Sequence, residues 1–219
     1  NARGENFPNP LKAALIAQKS GADSVTIHLR EDRRHIRDHD LKIIKKKLKI
    51  PLNLEMAPTK KMLKIAIKYK PNFVCIVPEK REEITTEGGL NIKQKKFFIK
   101  KIIKKLMKNN IRVSLFIEPK INDIKISKSV GAKCIELHTG SFCNLFNKGK
   151  TIRKSFLQLE NAAKYAKIIG LEVHAGHGLT YKSVNQIKKI KEISEFNIGH
   201  FIISESIFFG LSSIIKKFK

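Results

Sequence analysis

Several residue types that mark other protein classes are scarce in this chain. Tryptophan is absent, and the three cysteines, Cys75, Cys134 and Cys143, form no CxxC pair. A disulfide framework and a zinc finger are therefore not expected, and a reducing cytoplasm is the predicted location. No apolar run approaches the roughly 18 residues that a membrane span requires. No charged-then-apolar leader opens the sequence, so secretion is not expected either.

Acidic residues are also few, because 19 Asp and Glu stand against 45 Lys and Arg, a formal net charge of +26. Such an excess attracts polyanions and is compatible with nucleic-acid binding. The excess is mostly lysine, however, and it lies along amphipathic helical segments. Aromatic platforms for single strands are missing, since most Phe residues stand in apolar stretches. We expect no specific nucleic-acid partner and no membrane partner, and keep a basic nucleic-acid-binding protein as an alternative.

Short β-branched runs alternate with segments of 3.6-residue periodicity along the 219 residues. The runs predict strands at Ser24–Leu29, Pro51–Glu55, Asn72–Pro78, Ile111–Ile117, Ala132–His138, Leu171–His174 and Glu195–Ile198. The periodic segments predict helices at about 8–20, 38–49, 59–69, 93–109, 121–130, 153–169, 181–190 and 202–217.

This repeated βα pattern predicts a parallel sheet with helices outside, in one domain over residues 1–219. The even repeats favour an α/β (β/α)8 TIM barrel. Because the chain opens just before a helix and lacks an initiator Met, we expect that the first strand of the barrel is lost. An open doubly wound sheet is the other architecture, although no GxGxxG turn follows any predicted strand.

Imidazoles and carboxylates gather where the predicted strands end, which is where βα barrels carry their reactive groups. Five of the seven histidines stand there: His28, His138, His174, His177 and His200. Four glutamates stand in or just after strands: Glu55, Glu79, Glu118 and Glu136. A carboxyl group inside an apolar strand is costly to bury unless it is paired or neutral. The pattern predicts general acid–base chemistry, with buried ion pairs as the structural alternative.

Two groups of residues suit phosphate binding. The segment HLREDRRHI places Arg30 and His35 just past a strand, and arginine holds phosphate bidentately. The turns AGHGLT and NIGH place Gly178 and Gly199 where a helix begins, so that backbone N–H groups can approach an anion. A third loop, EKREEITTEGG at 79–89, is long enough to act as a lid.

A metal is not expected. Several His and Glu side chains on one edge could bind zinc. No HxH follows the first predicted strand, however, and no Asp stands at the last one. The spacing of His174 and His177 is not that of a helical i, i+4 pair.

The segments HLREDRRHI, LNLEMA, VPEKREEITTEGGL, VSLFIEP, IELHTG, AGHGLTY and NIGHFII occur in this order. Together with the opening NARGENFPNP, they closely resemble the pyridoxine 5′-phosphate synthase family of vitamin B6 biosynthesis, over essentially the whole chain. The resemblance implies a (β/α)8 barrel assembled as a homo-octamer. It implies a condensation of 1-deoxy-D-xylulose 5-phosphate with 3-amino-2-oxopropyl phosphate, without metal or organic cofactor. Pyridoxine 5′-phosphate, phosphate and water would be the products.

The resemblance also implies roles for individual residues. His28 and Glu55 match the acid–base pair of the family, His177 matches its proton donor, and Glu136 matches its transition-state stabiliser. Contacts to the deoxyxylulose phosphate match Arg30, His35 and Thr85. Contacts to the aminoacetone phosphate match Arg3, Gly178, Gly199 and His200.

Two departures from the family pattern leave alternatives open. The family begins with a strand that carries an Asn and an Asp-His, and His174 stands where the family usually has Asn. An inactive remnant of the barrel enzyme is therefore an alternative. A one-substrate isomerase or aldolase is another, although no lysine stands at a predicted strand end to form a Schiff base.

Overall fold

Helices and strands alternate along the chain in the computed structural model, which describes residues 7–79 and 88–219. The helices are α1 (Pro10–Lys19), α2 (Asp38–Lys47), α3 (Lys60–Tyr69), α4 (Ile92–Lys108), α5 (Ile121–Ser129), α6 (Gly140–Asn147), α7 (Arg153–Ile168), α8 (Tyr181–Ile187), α9 (His200–Phe209) and α10 (Leu211–Lys216). The strands are β1 (Val25–His28), β2 (Leu52–Met56), β3 (Phe73–Ile76), β4 (Arg112–Ile117), β5 (Cys134–His138), β6 (Glu172–Gly176) and β7 (Ile193–Asn197).

The strands form one parallel sheet in which each strand pairs with the next strand of the chain, in the order β1 to β7. The α/β prediction and its seven strands are therefore confirmed. The doubly wound alternative is wrong, because such a sheet reverses its strand order and this one does not. All seven strands end at the same edge, hereafter the carboxyl edge. Register places His28 beside Glu55 and Glu136 beside His174.

The sheet is strongly curved. The hydroxyl of Thr26 on β1 donates to Oδ1 of Asn197 on β7 at 3.2 Å, so the first and last strands approach each other across the concave face. Outside the sheet, the Ser20 hydroxyl after α1 reaches the Ser212 hydroxyl on α10 at 2.9 Å. Within the described residues no backbone pairing joins β1 to β7. The architecture is thus a seven-stranded parallel sheet that curves into a half-barrel.

The two faces of the sheet differ in chemistry because side chains alternate along each strand. Toward the helices lie apolar residues such as Leu54, Leu115 and Ile135, which are fully buried. Toward the concave face lie polar residues, among them the buried Asn53 and Glu136. The outer layer supplies the hydrophobic core, and the concave face is left to carry chemistry.

Three details differ from the sequence-based expectation. The segment around Phe142, which lies outside the predicted helices, forms helix α6, because Phe142 and Cys143 are buried against the neighbouring elements. The last predicted helix is interrupted at Gly210, whose φ of 77° separates α9 from α10. His174 lies inside β6 instead of at its end, because pairing with β5 extends β6 to Gly176.

No helix among the described residues meets the length and apolarity of a membrane span.

Candidate active site

The first cluster at the carboxyl edge surrounds His28, the last residue of β1. Its Nδ1 lies 3.7 Å from a carboxylate oxygen of Glu55, and its Nε2 lies 3.8 Å from one of Glu79. Burial raises the pKa of Glu55, and the neighbouring His28 partly offsets this effect. Burial also raises the pKa of Glu79, but the contacts with His28 and with the backbone amide of Glu31 outweigh this effect, so the pKa of Glu79 is lowered overall. The imidazole therefore lies between one carboxyl group whose pKa is raised and one whose pKa is lowered.

The second cluster surrounds Glu136, which lies inside β5 and is only 3% exposed. Nδ2 of Asn197 donates to its Oε2 at 2.9 Å, and the Cys75 thiol lies 3.8 Å from the same oxygen. Burial raises the pKa of Glu136 well above its ordinary range, and the charges of Glu55 and Glu195 raise it further. Such a carboxyl group keeps its proton to a higher pH than an exposed one does, and in the protonated form it can donate a hydrogen bond.

Glu136 also requires a glycine on the next strand. A Cβ added at Gly176 would come within 2.0 Å of Oε1 of Glu136. The glycine that ends β6 therefore leaves room for the carboxyl group at the carboxyl edge.

The third cluster surrounds His177, which follows β6 with a φ of 79°. The Thr139 hydroxyl holds this turn, because it lies 2.8 Å from the carbonyl of Gly176 and 2.6 Å from that of His177. The His138 ring lies 4.9 Å from the His177 ring, measured between centroids. Burial lowers the pKa of His177, and the nearby His138 and His200 lower it further.

A basic group lies beside the first cluster. Arg30 is 3% exposed, with Nε 3.6 Å from Asp32 and 4.0 Å from Glu79. Partial burial and the charges of Arg34 and Arg30 lower the pKa of the exposed His35. Positive charges this close together repel one another, and an anion bound between them would relieve that repulsion.

The two glycine turns stand at the opposite end of the same edge. Gly178 has a φ of 77°, and a Cβ added there would lie 3.0 Å from the Cβ of Cys143. Gly199 precedes α9, and a Cβ added there would meet nothing within 4 Å. His200 is the first residue of α9 and is exposed. The N-terminal amides of α9 and the open backbone at Gly199 suit a phosphate group.

The structure therefore brings nine of the predicted residues to one edge. They are His28, Arg30, His35, Glu55, Glu136, His177, Gly178, Gly199 and His200. The other two, Arg3 and Thr85, lie outside the described residues, as does most of the expected lid. Sequence reasoning placed Glu79 among the carboxyl groups at the strand ends but gave it no specific role, and it left Asn197 and Thr139 out of the site. Asn197 ends β7 and could have been included on that basis, whereas nothing in the sequence marks Thr139.

A separate polar network fills the concave face toward the other end of the strands. Arg112 pairs with Glu172, and Nε2 of His174 lies 2.8 Å from Glu172. Nδ1 of His174 lies 3.4 Å from Glu195. Possible ligand atoms of Cys134, Glu172 and His174 lie within 4.8 Å of one another. Arg112 and His174 already serve as partners of the Glu172 carboxylate, so we interpret the group as an ion-pair network. That no metal takes part stays a prediction.

Fold and geometry together define a class: an α/β protein with a seven-stranded parallel half-barrel sheet, which carries clusters of His and Glu side chains near its carboxyl edge. Solved structures agree on the fold. The chain is similar to phosphoribosyl anthranilate isomerase from Thermus thermophilus, with 10% identity, a TM-score of 0.58, and 94% and 90% of the two chains covered. It is also similar to a 4-hydroxy-2-oxoglutarate aldolase, with 10% identity, a TM-score of 0.62, and 97% and 88% covered.

Sequence comparison identifies the family. The family described as "Pyridoxal phosphate biosynthesis protein PdxJ" matches residues 1–219, and the chain belongs to it. A pyridoxine 5′-phosphate synthase of Pelagibacter ubique is 52% identical, over 100% of this chain and 92% of that protein. One of a Sulfurihydrogenibium species is also 52% identical, over 100% of this chain and 90% of that protein. The resemblance seen in the sequence motifs is thus confirmed.

Proposed function

We propose that this protein is a pyridoxine 5′-phosphate synthase. It condenses 1-deoxy-D-xylulose 5-phosphate with 3-amino-2-oxopropyl phosphate, and pyridoxine 5′-phosphate, phosphate and water are the products. The proposal rests on the full-length match to the family together with the His and Glu side chains that lie near one edge of the sheet. The alternatives of an inactive remnant and of a nucleic-acid-binding protein find no support among the relatives.

Amine–carbonyl condensation, dehydration and ring closure require several proton transfers near neutral pH. In the proposal, His28 and Glu55 act as the acid–base pair. Their 3.7 Å separation supports this role, because a small rearrangement brings the imidazole and the carboxyl into hydrogen-bond distance. The raised pKa of Glu55 supports it too, since such a carboxyl can exchange a proton at working pH.

Glu136 and His177 act on the developing charges. A carboxyl group kept protonated by burial donates a hydrogen bond to an oxyanion without bringing a negative charge to it. His177 is the proton donor, and its lowered pKa makes its imidazolium a stronger acid than that of an exposed histidine. A phosphate dianion bound nearby would stabilise the protonated ring until the proton is transferred to the substrate.

Two phosphorylated substrates require two anion sites, and we assign them to the two ends of the carboxyl edge. Arg30 and His35, with Thr85, hold the deoxyxylulose phosphate. Gly178, Gly199 and His200, with Arg3, hold the aminoacetone phosphate. The two groups follow different strands, one after β1 and the other after β6 and β7, which supports assigning one phosphate to each.

The proposal includes the (β/α)8 barrel that the sequence predicts, in which the place of the first barrel strand lies between β1 and β7. The Thr26–Asn197 hydrogen bond supports it, since it keeps the two outer strands near each other across the concave face. A crystal structure of the assembled enzyme with separate, flattened edges at β1 and β7 would contradict it.

We also propose a homo-octamer that works in the cytoplasm. The exposed apolar side chains of α9, among them Ile207 at 79% and Phe208 at 75%, support an assembly that covers them. Three free, buried cysteines fit a reducing compartment. Sedimentation velocity tests the assembly: a single 25.0 kDa species at all concentrations would contradict it.

The function is tested by incubating the purified protein with both phosphorylated substrates. Pyridoxine 5′-phosphate and inorganic phosphate should form in equal amounts, and neither should form when one substrate is omitted. Phosphate release from one substrate alone would instead favour a one-substrate enzyme.

A further inference from the structure

Glu118 joins three parts of the carboxyl edge. It directly follows β4, and its Oε1 accepts a hydrogen bond from the backbone N–H of Gly89 at 2.8 Å. The same oxygen lies 3.0 Å from Nδ1 of His138, at the end of β5. One carboxylate thus links the end of β4, the end of β5 and the start of the chain segment that leads into α4.

This contact fixes the proton on the His138 ring. A carboxylate only accepts hydrogen bonds, so Nδ1 of His138 must carry the hydrogen. The other ring nitrogen, Nε2, is buried and has no hydrogen-bond partner among the described residues. A Cβ added at Gly140 would come within 2.6 Å of Nε2, so the ring packs closely on the first turn of α6.

The His138 ring in turn packs on His177. Their centroids lie 4.9 Å apart, and the edge of Phe116 contacts the His138 ring at 5.2 Å. The titratable groups that act on His177 are His138 on β5 and His200 at the start of α9. Glu118 follows β4, and within the described residues its contact with His177 runs through the His138 ring.

We propose that Glu118 and His138 are positioning residues, which hold the imidazole of His177 in place and control its proton. The role of His177 as proton donor rests on the proposed function, but the control of its proton does not. The hydrogen bond to Glu118 sets the orientation of the His138 ring, and a charge on that ring lowers the pKa of His177, whose ring centroid lies 4.9 Å away. Removing the carboxylate releases the His138 ring from this orientation and should therefore change the proton affinity of His177.

The test is an NMR titration of the His177 ring in the full-length, ligand-free protein, with the signal assigned by its loss in His177→Gln. In Glu118→Gln the titration midpoint of His177 should shift by roughly half a pH unit. In His138→Asn it should move upward, because the variant removes the ring whose charge lowers the pKa of His177. Glu160→Gln is the matched control, because the ion pair that Glu160 makes among the described residues is with Lys164, one turn further along α7.

An unchanged His177 midpoint in a folded Glu118→Gln protein would overturn the proposal. The titration needs no substrate, so it decides the proposal even if the protein makes no pyridoxine 5′-phosphate. In an active enzyme, the acidic limb of kcat/KM should move with the NMR midpoint, which a purely structural role of Glu118 would not produce.

Discussion

At the scale of single residues, Glu136 carries the largest conflict between stability and function. Its carboxyl group is removed from water, and its partners are the Asn197 amide, the Cys75 thiol and other carboxyl groups nearby. Burial raises its pKa above that of the unfolded chain, so the folded state binds this proton more tightly. Its contribution to stability is complete below the unfolded pKa and declines as the pH rises above about 4.5, toward the folded pKa.

Glu136→Gln keeps the size of the side chain and removes this titration. We expect the variant to gain stability over the natural protein as the pH rises from 5 to 8, by about 1 kcal/mol or more. Urea unfolding at both pH values measures the gain. Equal pH slopes for the two proteins would contradict the raised pKa. Turnover should fall, because the amide cannot donate a hydrogen bond as strongly as the carboxyl group.

Thr139 supports the turn that carries His177. Thr139→Val removes the hydroxyl but keeps the shape, and leaves the carbonyls of Gly176 and His177 with fewer donors. We expect a loss of about 1–3 kcal/mol in the free energy of unfolding and a fall in kcat larger than any change in KM. Thr139→Ser should restore most of both. Kinetics as good in the Val variant as in the Ser variant would show that the hydroxyl is not needed.

At the scale of elements, the chain segment before α4 is held against the end of β4. A Cβ at Gly89 would come within 2.3 Å of the backbone nitrogen of Glu118, and within 2.6 Å of the carbonyl carbon of Ile117. Neither backbone atom can move without disturbing the strand. A Cβ at Gly88 would meet only Oε1 of Glu118, at an ordinary 3.8 Å.

Gly89→Ala should therefore break the Gly89–Glu118 hydrogen bond, lower the melting temperature and reduce turnover. Gly88→Ala, its neighbour and matched control, should stay close to the natural protein in both measurements. Equal effects of the two alanines on melting temperature and kcat would contradict this account of the close approach.

Most elements could be predicted from the sequence because a buried parallel strand reads as a short apolar run, as at Val25–His28 and Cys134–His138. Helix α6 could not. Its N-cap, Thr139, makes no side-chain capping bond, and its stability comes from burying Phe142 against other elements. The position of His174 was missed for a similar reason, since pairing with β5 decides where β6 ends.

At the scale of the whole molecule, the site depends on contacts that no linear pattern contains. Asn197 reaches Glu136 from two strands away, and Thr26 reaches Asn197 across the concave face. Which residues stand at strand ends could be read from the sequence, and so could their chemical types. Which of them touch could not, because curvature of the sheet sets those distances.

The net charge of +26 also belongs to this scale. If it is spread over a solvated surface, binding to duplex DNA should be weak and should disappear by about 150 mM salt, since it arises from counterion release alone. Fluorescence anisotropy at low and physiological salt measures this. Tight binding that persists at physiological salt would show a selected polyanion site.

The central claim, that one acid–base centre at the carboxyl edge makes the pyridoxine ring, is tested most directly by one comparison. Pyridoxine 5′-phosphate formation is measured for the natural protein, for His28→Asn and for Glu55→Gln, with circular dichroism to establish that all three are folded. We predict that each substitution lowers turnover by about 100-fold or more while the fold is kept. Turnover near the natural value in both folded variants would contradict the account.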